Sequence, residues 1–215
     1  MAVTAAAGAL RAAVFLDKDG TLVEDVPYNV DPAKLRFTPG ALEGLRMLDR
    51  AGFALVVVTD QPGLAMGRFT RADFARLEGA LVQRLREEAG IELAGLHACP
   101  HAPGPNGTPR CLCHKPAPGL LKQAALAHRL DLAASWMVGD LLDDIEAGRR
   151  AGCGTVLLDV GSETAWRLSP LRTPDQRCPD LLEAARWITQ APHPQHEVHL
   201  AARSSVSAAY AQPAG

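Results

Sequence analysis

Residues 53–58 read Phe-Ala-Leu-Val-Val-Val, a continuous apolar and largely β-branched run. A strand with one wet face alternates polar and apolar residues, so this run reads as a central strand buried on both faces. Such a strand needs helices above and below it, and the chain supplies them. Short apolar strands are expected at 12–16, 96–98, 136–138 and 155–158, each separated from the next by a helical pattern. The helix over Ala41 to Arg50 carries Leu42, Leu45 and Leu48 on one face and ends at Ala51-Gly52. The next opens at Thr70, where Thr-x-x-Asp to Asp73 resembles a capping box, and its apolar face is Phe74, Leu77, Leu81 and Leu85. Further helices are expected near 119–130, 143–151 and 181–188. The alternation predicts an α/β fold with a doubly wound, Rossmann-like parallel sheet.

With 215 residues the chain is long enough for one such domain, expected over 12–189. Residues 1–11 are Ala-rich without a basic start and read as a frayed leader rather than a signal peptide. From 190 to 215, Pro, His, Ser and Ala follow no period, so a disordered tail is expected, with His193, His196 and His199 as solvated side chains. A net charge of −2 without a basic groove argues against nucleic acid, and no apolar run is long enough to cross a membrane. Five cysteines make a poor disulfide framework and suggest a reducing cytoplasm, with Cys153 and Cys178 as buried, inert thiols. A monomer is the default expectation.

Chemistry gathers where strands end. Asp17-Lys18-Asp19-Gly20-Thr21 follows the first strand and sets two carboxylates one residue apart. Two like charges there repel unless a cation intervenes, in which case one can attack and the other move protons. An acidic turn would look the same in isolation. Thr59-Asp60-Gln61-Pro62-Gly63 ends the central strand, Lys115 follows a cysteine loop, and Gly139-Asp140 opens a helix that continues into Asp143 and Asp144. Singly these are a cap, a surface lysine and a dipole partner; together they sit at the carboxyl ends of strands, where open α/β sheets bind ligands.

Cys99-x-His101, nine residues, then Cys111-x-Cys113 supplies three thiolates and one imidazole, the ligand set of a closed structural zinc site. The Pro- and Gly-rich stretch between them could hardly form a core, so metal would supply its order. Lys115 lies two residues beyond Cys113, so zinc would also position the lysine.

These four strand-end elements resemble the haloacid dehalogenase (HAD) superfamily phosphatases. The resemblance implies Asp17 as nucleophile, forming an aspartyl-phosphate, and Asp19 as the acid and then base. It also implies Thr59 and Lys115 on the phosphoryl oxygens, and Mg²⁺ held by the carboxylates of Asp17 and Asp140 and the backbone carbonyl of Asp19. Asp144, and with it Asp143, would orient ligands rather than bind metal. Forty-two positions separate Asp17 from Thr59 and 56 separate Thr59 from Lys115, too few for a cap domain beside the expected elements. The site is therefore expected to be capless, with the loops 25–30, 62–68 and 102–110 selecting the substrate.

The zinc loop, the run 53–59, Gly67-Arg68-Phe69-Thr70 and Val138-Gly139-Asp140 are similar to the heptose bisphosphate phosphatases and their relatives, the histidinol-phosphate phosphatases. That implies a small phosphorylated sugar as partner, on the way to an activated heptose, with Asp25, Tyr28, Asp60, Gln61, Pro62 and His114 as candidate substrate contacts. Asp60, Pro62, His114 and Leu141 depart from the family's usual Asn, Ser, Arg and basic residue, and each removes a donor or a positive charge. A zinc-stabilised scaffold without activity is the reading from another class.

Overall fold

The structure, a computed structural model, describes residues 9–104, 108 and 110–192. Six strands, β1 (Ala13–Leu16), β2 (Ala54–Asp60), β3 (Gly95–Cys99), β4 (Trp136–Gly139), β5 (Gly154–Leu158) and β6 (Gln176–Cys178), form one sheet. Its order is β3-β2-β1-β4-β5-β6, and every pairing is parallel. Five α-helices accompany it: α1 (Ala41–Arg50), α2 (Arg71–Ala89), α3 (Gly119–His128), α4 (Leu142–Ala151) and α5 (Leu181–Gln190).

The period of two along β1 divides the core. Val14 and Leu16 face one layer with residues of α1, α2 and α5, among them Leu45, Leu48, Leu81, Leu85 and Leu181. Ala13 and Phe15 face the other, with Leu120, Leu121 and Ala124 of α3 and Ala147 of α4. Both faces of β1 and β2 are thus dry, as the unbroken apolar run requires. The 70–73 capping box forms: the Thr70 hydroxyl accepts from the Asp73 N–H, and the Asp73 carboxylate accepts from the Thr70 N–H. Phe74, Leu77, Leu81 and Leu85 are the buried face of α2.

The structure adds detail to these expectations. On α1 the buried residues are Ala41, Gly44, Leu45 and Leu48; Leu42 packs against the same core but is only partly buried, and Gly44 lies against the Leu181 backbone. Residues 176–178 form a sixth strand with no apolar run to signal it; it is an edge strand, with one wet side. Arg11 bridges to Leu130, and α5 runs on to Gln190. Residues 1–8 and the tail histidines lie outside the described residues.

The strand order sets the site. The chain winds outward through β1, β2 and β3, returns to lay β4 on the other side of β1, and winds outward again. The β1–β4 junction is therefore the switch point, where the loops after neighbouring strands diverge and leave a crevice. Between β1 and β2, and between β2 and the cysteine loop, the described residues contain only α1, α2, β3, one 3-10 turn at Pro32–Lys34 and loops, so no separate cap domain lies there.

Candidate active site

Asp17 is the first residue beyond β1, and its N–H donates to the Val138 carbonyl of β4 at 2.9 Å, which ties the motif to the switch point. The chain then doubles back: the N–H groups of Leu22 and Val23 both donate to the Lys18 carbonyl, and Gly20 N–H donates to the Val23 carbonyl. Gly20 has φ of +79°, and a Cβ there would lie 2.1 Å from Asp140 Oδ2. Only glycine both takes this turn and lets the β4 carboxylate come so close. Thr21 donates its hydroxyl to Asp140 Oδ1 at 3.2 Å.

Lys115 is 5% exposed, so it is no surface lysine. Its Nζ lies 2.6 Å from Asp17 Oδ1 and 2.5 Å from Asp144 Oδ1. Burial alone disfavours the ammonium, but the carboxylates of Asp144 and Asp17 reverse the balance and hold it well above the usual lysine range. Asp144 is fully enclosed; its second oxygen accepts the Leu141 N–H at 3.1 Å, so both oxygens are committed and burial raises its carboxyl. Asp143, by contrast, is half-exposed and pairs with Arg172 at 2.8 Å.

Oxygens of Asp17, Asp140 and Asp144 lie within 4.8 Å of one another. Burial, then the charge of Asp17, pushes the Asp140 carboxyl up to about 6. The site therefore holds more negative charge than Lys115 neutralises. Its donors are all oxygen, the set a hard divalent cation takes. Asp17 and Asp140, beside Asp144, which also takes the Lys115 and Leu141 hydrogen bonds, could hold Mg²⁺.

Asp19 carries the second carboxylate of the motif. Lys18 Nζ donates to its Oδ1 at 2.6 Å, and Gln61 Nε2 donates to its Oδ2 at 3.1 Å. Burial raises this carboxyl, against the pull of Lys18. Thr59 ends the apolar run of β2 and is 1% exposed. Asp60 and His114 face each other with Oδ1 and Nδ1 at 3.3 Å, and both atoms are buried without a hydrogen-bond partner. The other Asp60 oxygen accepts the Lys115 N–H at 3.1 Å, and burial raises its carboxyl.

All these groups open onto one cleft of about 590 Å³. Asp25, Tyr28, Asp60, Gln61, Pro62, His114 and Leu141 line it together with Asp17, Asp19, Thr59, Lys115 and Asp140. At its rim Arg68 stacks over the Tyr28 ring at 5.4 Å. A Cβ at Gly63 would strike both Phe69 and Tyr28, so this glycine lets the 25–30 and 62–69 loops meet. Two lining residues carry no signal in the sequence. Ser162, in the loop after β5, lines the cleft beside Asp140 and favours its charged form. Lys18 reads as a spacer within the motif, yet it is buried and paired with Asp19. Only the position of each beside a strand end could have drawn attention to it.

The cysteine cluster forms beside this cleft. Cys99 ends β3 and is fully buried; its carbonyl accepts the Gln61 N–H at 2.8 Å. The sulfurs of Cys99, Cys111 and Cys113 lie 3.1–3.6 Å apart, and His101 Nδ1 lies 3.2 Å from Cys113 Sγ and 3.6 Å from Cys99 Sγ. Bonds of about 2.3 Å to a tetrahedral zinc would hold sulfurs about 3.8 Å apart, so a small outward relaxation fits the ion. The spacings are far beyond a disulfide bond of about 2.05 Å. Four ligands with no spare position could hold a structural metal ion, not a catalytic one.

Residues 112–184 match the HAD-hydrolase-like family model. The chain is 37% identical over 181 residues to the D-glycero-beta-D-manno-heptose-1,7-bisphosphate 7-phosphatase of Escherichia coli (strain K12), covering 82% of this chain and 87% of that protein. It is 35% identical over 178 residues to the enzyme of the same name from Helicobacter pylori (strain J99), covering 82% and 96%. Among solved structures, the D,D-heptose 1,7-bisphosphate phosphatase from B. bronchiseptica, complexed with magnesium and phosphate, superposes with a TM-score of 0.68 at 29% identity, covering 83% of this chain and 98% of that one. The chain belongs to the HAD-like phosphatases, enzymes that hydrolyse phosphate monoesters.

Proposed function

We propose that the protein is a Mg²⁺-dependent phosphatase that removes one phosphate from a heptose 1,7-bisphosphate through an aspartyl-phosphate on Asp17. The observation that carries the mechanism is the Asp17 carboxylate: buried at the switch point, with one oxygen on Lys115 at 2.6 Å and Asp140 beside it. Asp17 and Asp140, with the Asp19 carbonyl, would hold Mg²⁺, whose charge lets a phosphate dianion approach these carboxylates. The free Asp17 oxygen attacks phosphorus in line, and the bond from phosphorus to the sugar oxygen breaks. Asp19 gives its proton to that leaving oxygen, then takes one from the water that hydrolyses the aspartyl-phosphate. Thr59 and Lys115 hold the phosphoryl oxygens. Cys99, His101, Cys111 and Cys113 would hold zinc, which would fix the segment that carries Lys115.

The substrate assignment draws on the relatives' names and on the shape of an open cleft that small sugars can enter. One observation favours a second reading, a simple phosphomonoester such as histidinol phosphate. Among the described residues, the lysines lining the cleft are Lys18 and Lys115, and both are already paired with carboxylates. Asp25, Asp60 and Asp143 line the same space, an unfavourable surround for a second phosphate.

Phosphate release with Mg²⁺ tests these readings on heptose bisphosphate, histidinol phosphate and simple sugar phosphates, with Asp17→Asn as control. The expected result is a kcat/KM highest for the bisphosphate and abolished in the variant. A hydroxylamine-labile phosphoryl group on Asp17 is expected after rapid quenching. Turnover that treats mono- and bisphosphates alike overturns the bisphosphate assignment; no release from any ester overturns the enzyme mechanism.

A further inference from the structure

We infer that Gln61 is a positioning residue that sets the direction of the Asp19 carboxylate relative to Thr59. This deepens the proposed function and rests on its assignment of Asp19 as the acid. A side chain in the cleft beside a phosphate-binding strand end reads from sequence as a substrate contact. Its bonds point elsewhere. The single amide nitrogen of Gln61 has two hydrogens, and both are spent inside the site: one on Asp19 Oδ2 at 3.1 Å, the other on Thr59 Oγ1 at 3.0 Å. The residue is 6% exposed.

Its backbone cannot drift. Gln61 N–H donates to the Cys99 carbonyl at 2.8 Å, and its own carbonyl accepts the Leu64 N–H at 3.2 Å. Thr59 stands two residues earlier on β2, so it lies on the same face of the extended chain. The amide therefore measures from a fixed frame. The other grip on Asp19 does not: Lys18 belongs to the same loop as Asp19 and would move with it. Lys18 supplies charge, while Gln61 supplies the reference to β2.

Direction matters because a proton is useful only along the line to the leaving oxygen. A misplacement of about 1 Å can cost on the order of 100-fold in rate. The consequence is specific. Proton donation decides the rate for a basic leaving group such as a sugar alkoxide and matters little for an acidic phenol. A residue that aims the acid should follow this dependence, whereas one that binds substrate or only supports the fold should not.

The experiment measures kcat/KM, which reports on the chemistry up to departure of the leaving group, with a sugar phosphate and with p-nitrophenyl phosphate. Wild type is compared with Gln61→Met, which keeps the shape but has no donors, with Asp19→Asn, and with the double variant. Expected are a loss of about 10–100-fold for Gln61→Met on the sugar phosphate, a loss under about 3-fold on the aryl ester, and a double variant no worse than Asp19→Asn. Gln61→Glu, which keeps the length but replaces the donor nitrogen, is expected to follow the same pattern and covers the case in which Gln61→Met fails to fold. Equal losses on the two esters, no loss, or losses that add to those of Asp19→Asn overturn the proposal. If Asp19→Asn itself loses equally on both esters, the assignment of Asp19 as acid falls, and the role of Gln61 falls with it. That pattern differs from one in which only the Gln61 variants fail to discriminate.

Discussion

Gly20→Ala should damage the active site through a collision that can be read from the structure. At φ of +79° an alanine pays about 1–2 kcal/mol for the left-handed conformation. The added Cβ would also lie 2.1 Å from Asp140 Oδ2 and 2.7 Å from Asp140 Cγ, where ordinary contact begins near 3.4 Å. The Asp140 carboxylate must then retreat by about 1.3 Å, more than the roughly 1 Å error that costs on the order of 100-fold in rate. A hard cation that wants oxygens at about 2.0–2.1 Å cannot follow one ligand without leaving the other. The expected result is a Mg²⁺ half-saturation concentration raised by about 10- to 100-fold and a kcat lowered by about 100-fold, about 2.7 kcal/mol of barrier. Gly52→Ala is the control: its φ is +90°, yet nothing lies within 4 Å of its Cβ. It should lose the same 1–2 kcal/mol of stability, about 2–8 °C in melting temperature, with full activity. Titrating Mg²⁺ against phosphate release and melting both variants supplies the readouts. Wild-type metal dependence in Gly20→Ala, or equal activity losses in the two variants, would refute the argument.

Lys115→Met should abolish activity and cost about 3–5 kcal/mol in urea unfolding, because Asp144 and Asp17 are left buried without their counter-charge; adding Asp144→Leu should recover part of that loss, and no recovery would mean the ion pair is not the cause. Metal analysis should find about one zinc per chain, and stripping it should expose reactive thiols in the 99–113 loop and abolish activity while far-UV circular dichroism keeps the sheet signal. Cys153 should stay silent in that thiol titration, since burial pushes its thiol up to about 12. The Asp73 carboxyl is held down to about 2 by the Thr70 hydroxyl and N–H and by Arg76, against 3.8 unperturbed. A depressed carboxyl stabilises above its unfolded value and loses that contribution as pH falls through the folded one. The gap in urea midpoint between wild type and Asp73→Asn should therefore be widest above pH 3.8 and close toward about 2; a gap that widens on acidification would reverse the sign.

Much of the architecture was legible because it rests on local rules. The dry run 53–58 announces a two-sided strand, and the apolar spacing from Phe74 to Leu85 and the Thr70–Asp73 box announce α2 and its start. The site was legible in its residue types, since Asp17, Asp19 and Asp140 come just after strands, Thr59 stands at the end of one, and Lys115 follows the cysteine loop. The sixth strand was not, because an edge strand with one wet side shows no apolar run. Lys18 and Ser162 were silent for a related reason: a lysine or serine in a loop takes its role from what it meets, not from its neighbours in sequence.

The sequence by itself determined the class of fold, the groups available for phosphoryl transfer and a second, sulfur-rich ligand set, because strand and helix periods and residue chemistry are properties of short segments. Only the tertiary structure decided how those groups are spent. Parallel pairing of β1 with β4 brings Asp17 and Asp140 together, although they lie 123 positions apart. The same packing gives Asp144 to Lys115 and turns Asp60 toward His114. It also commits both amide hydrogens of Gln61 to Asp19 and Thr59. A buried polar side chain must satisfy its donors with whatever the fold places within about 3 Å, and that is settled by contacts between segments distant in sequence.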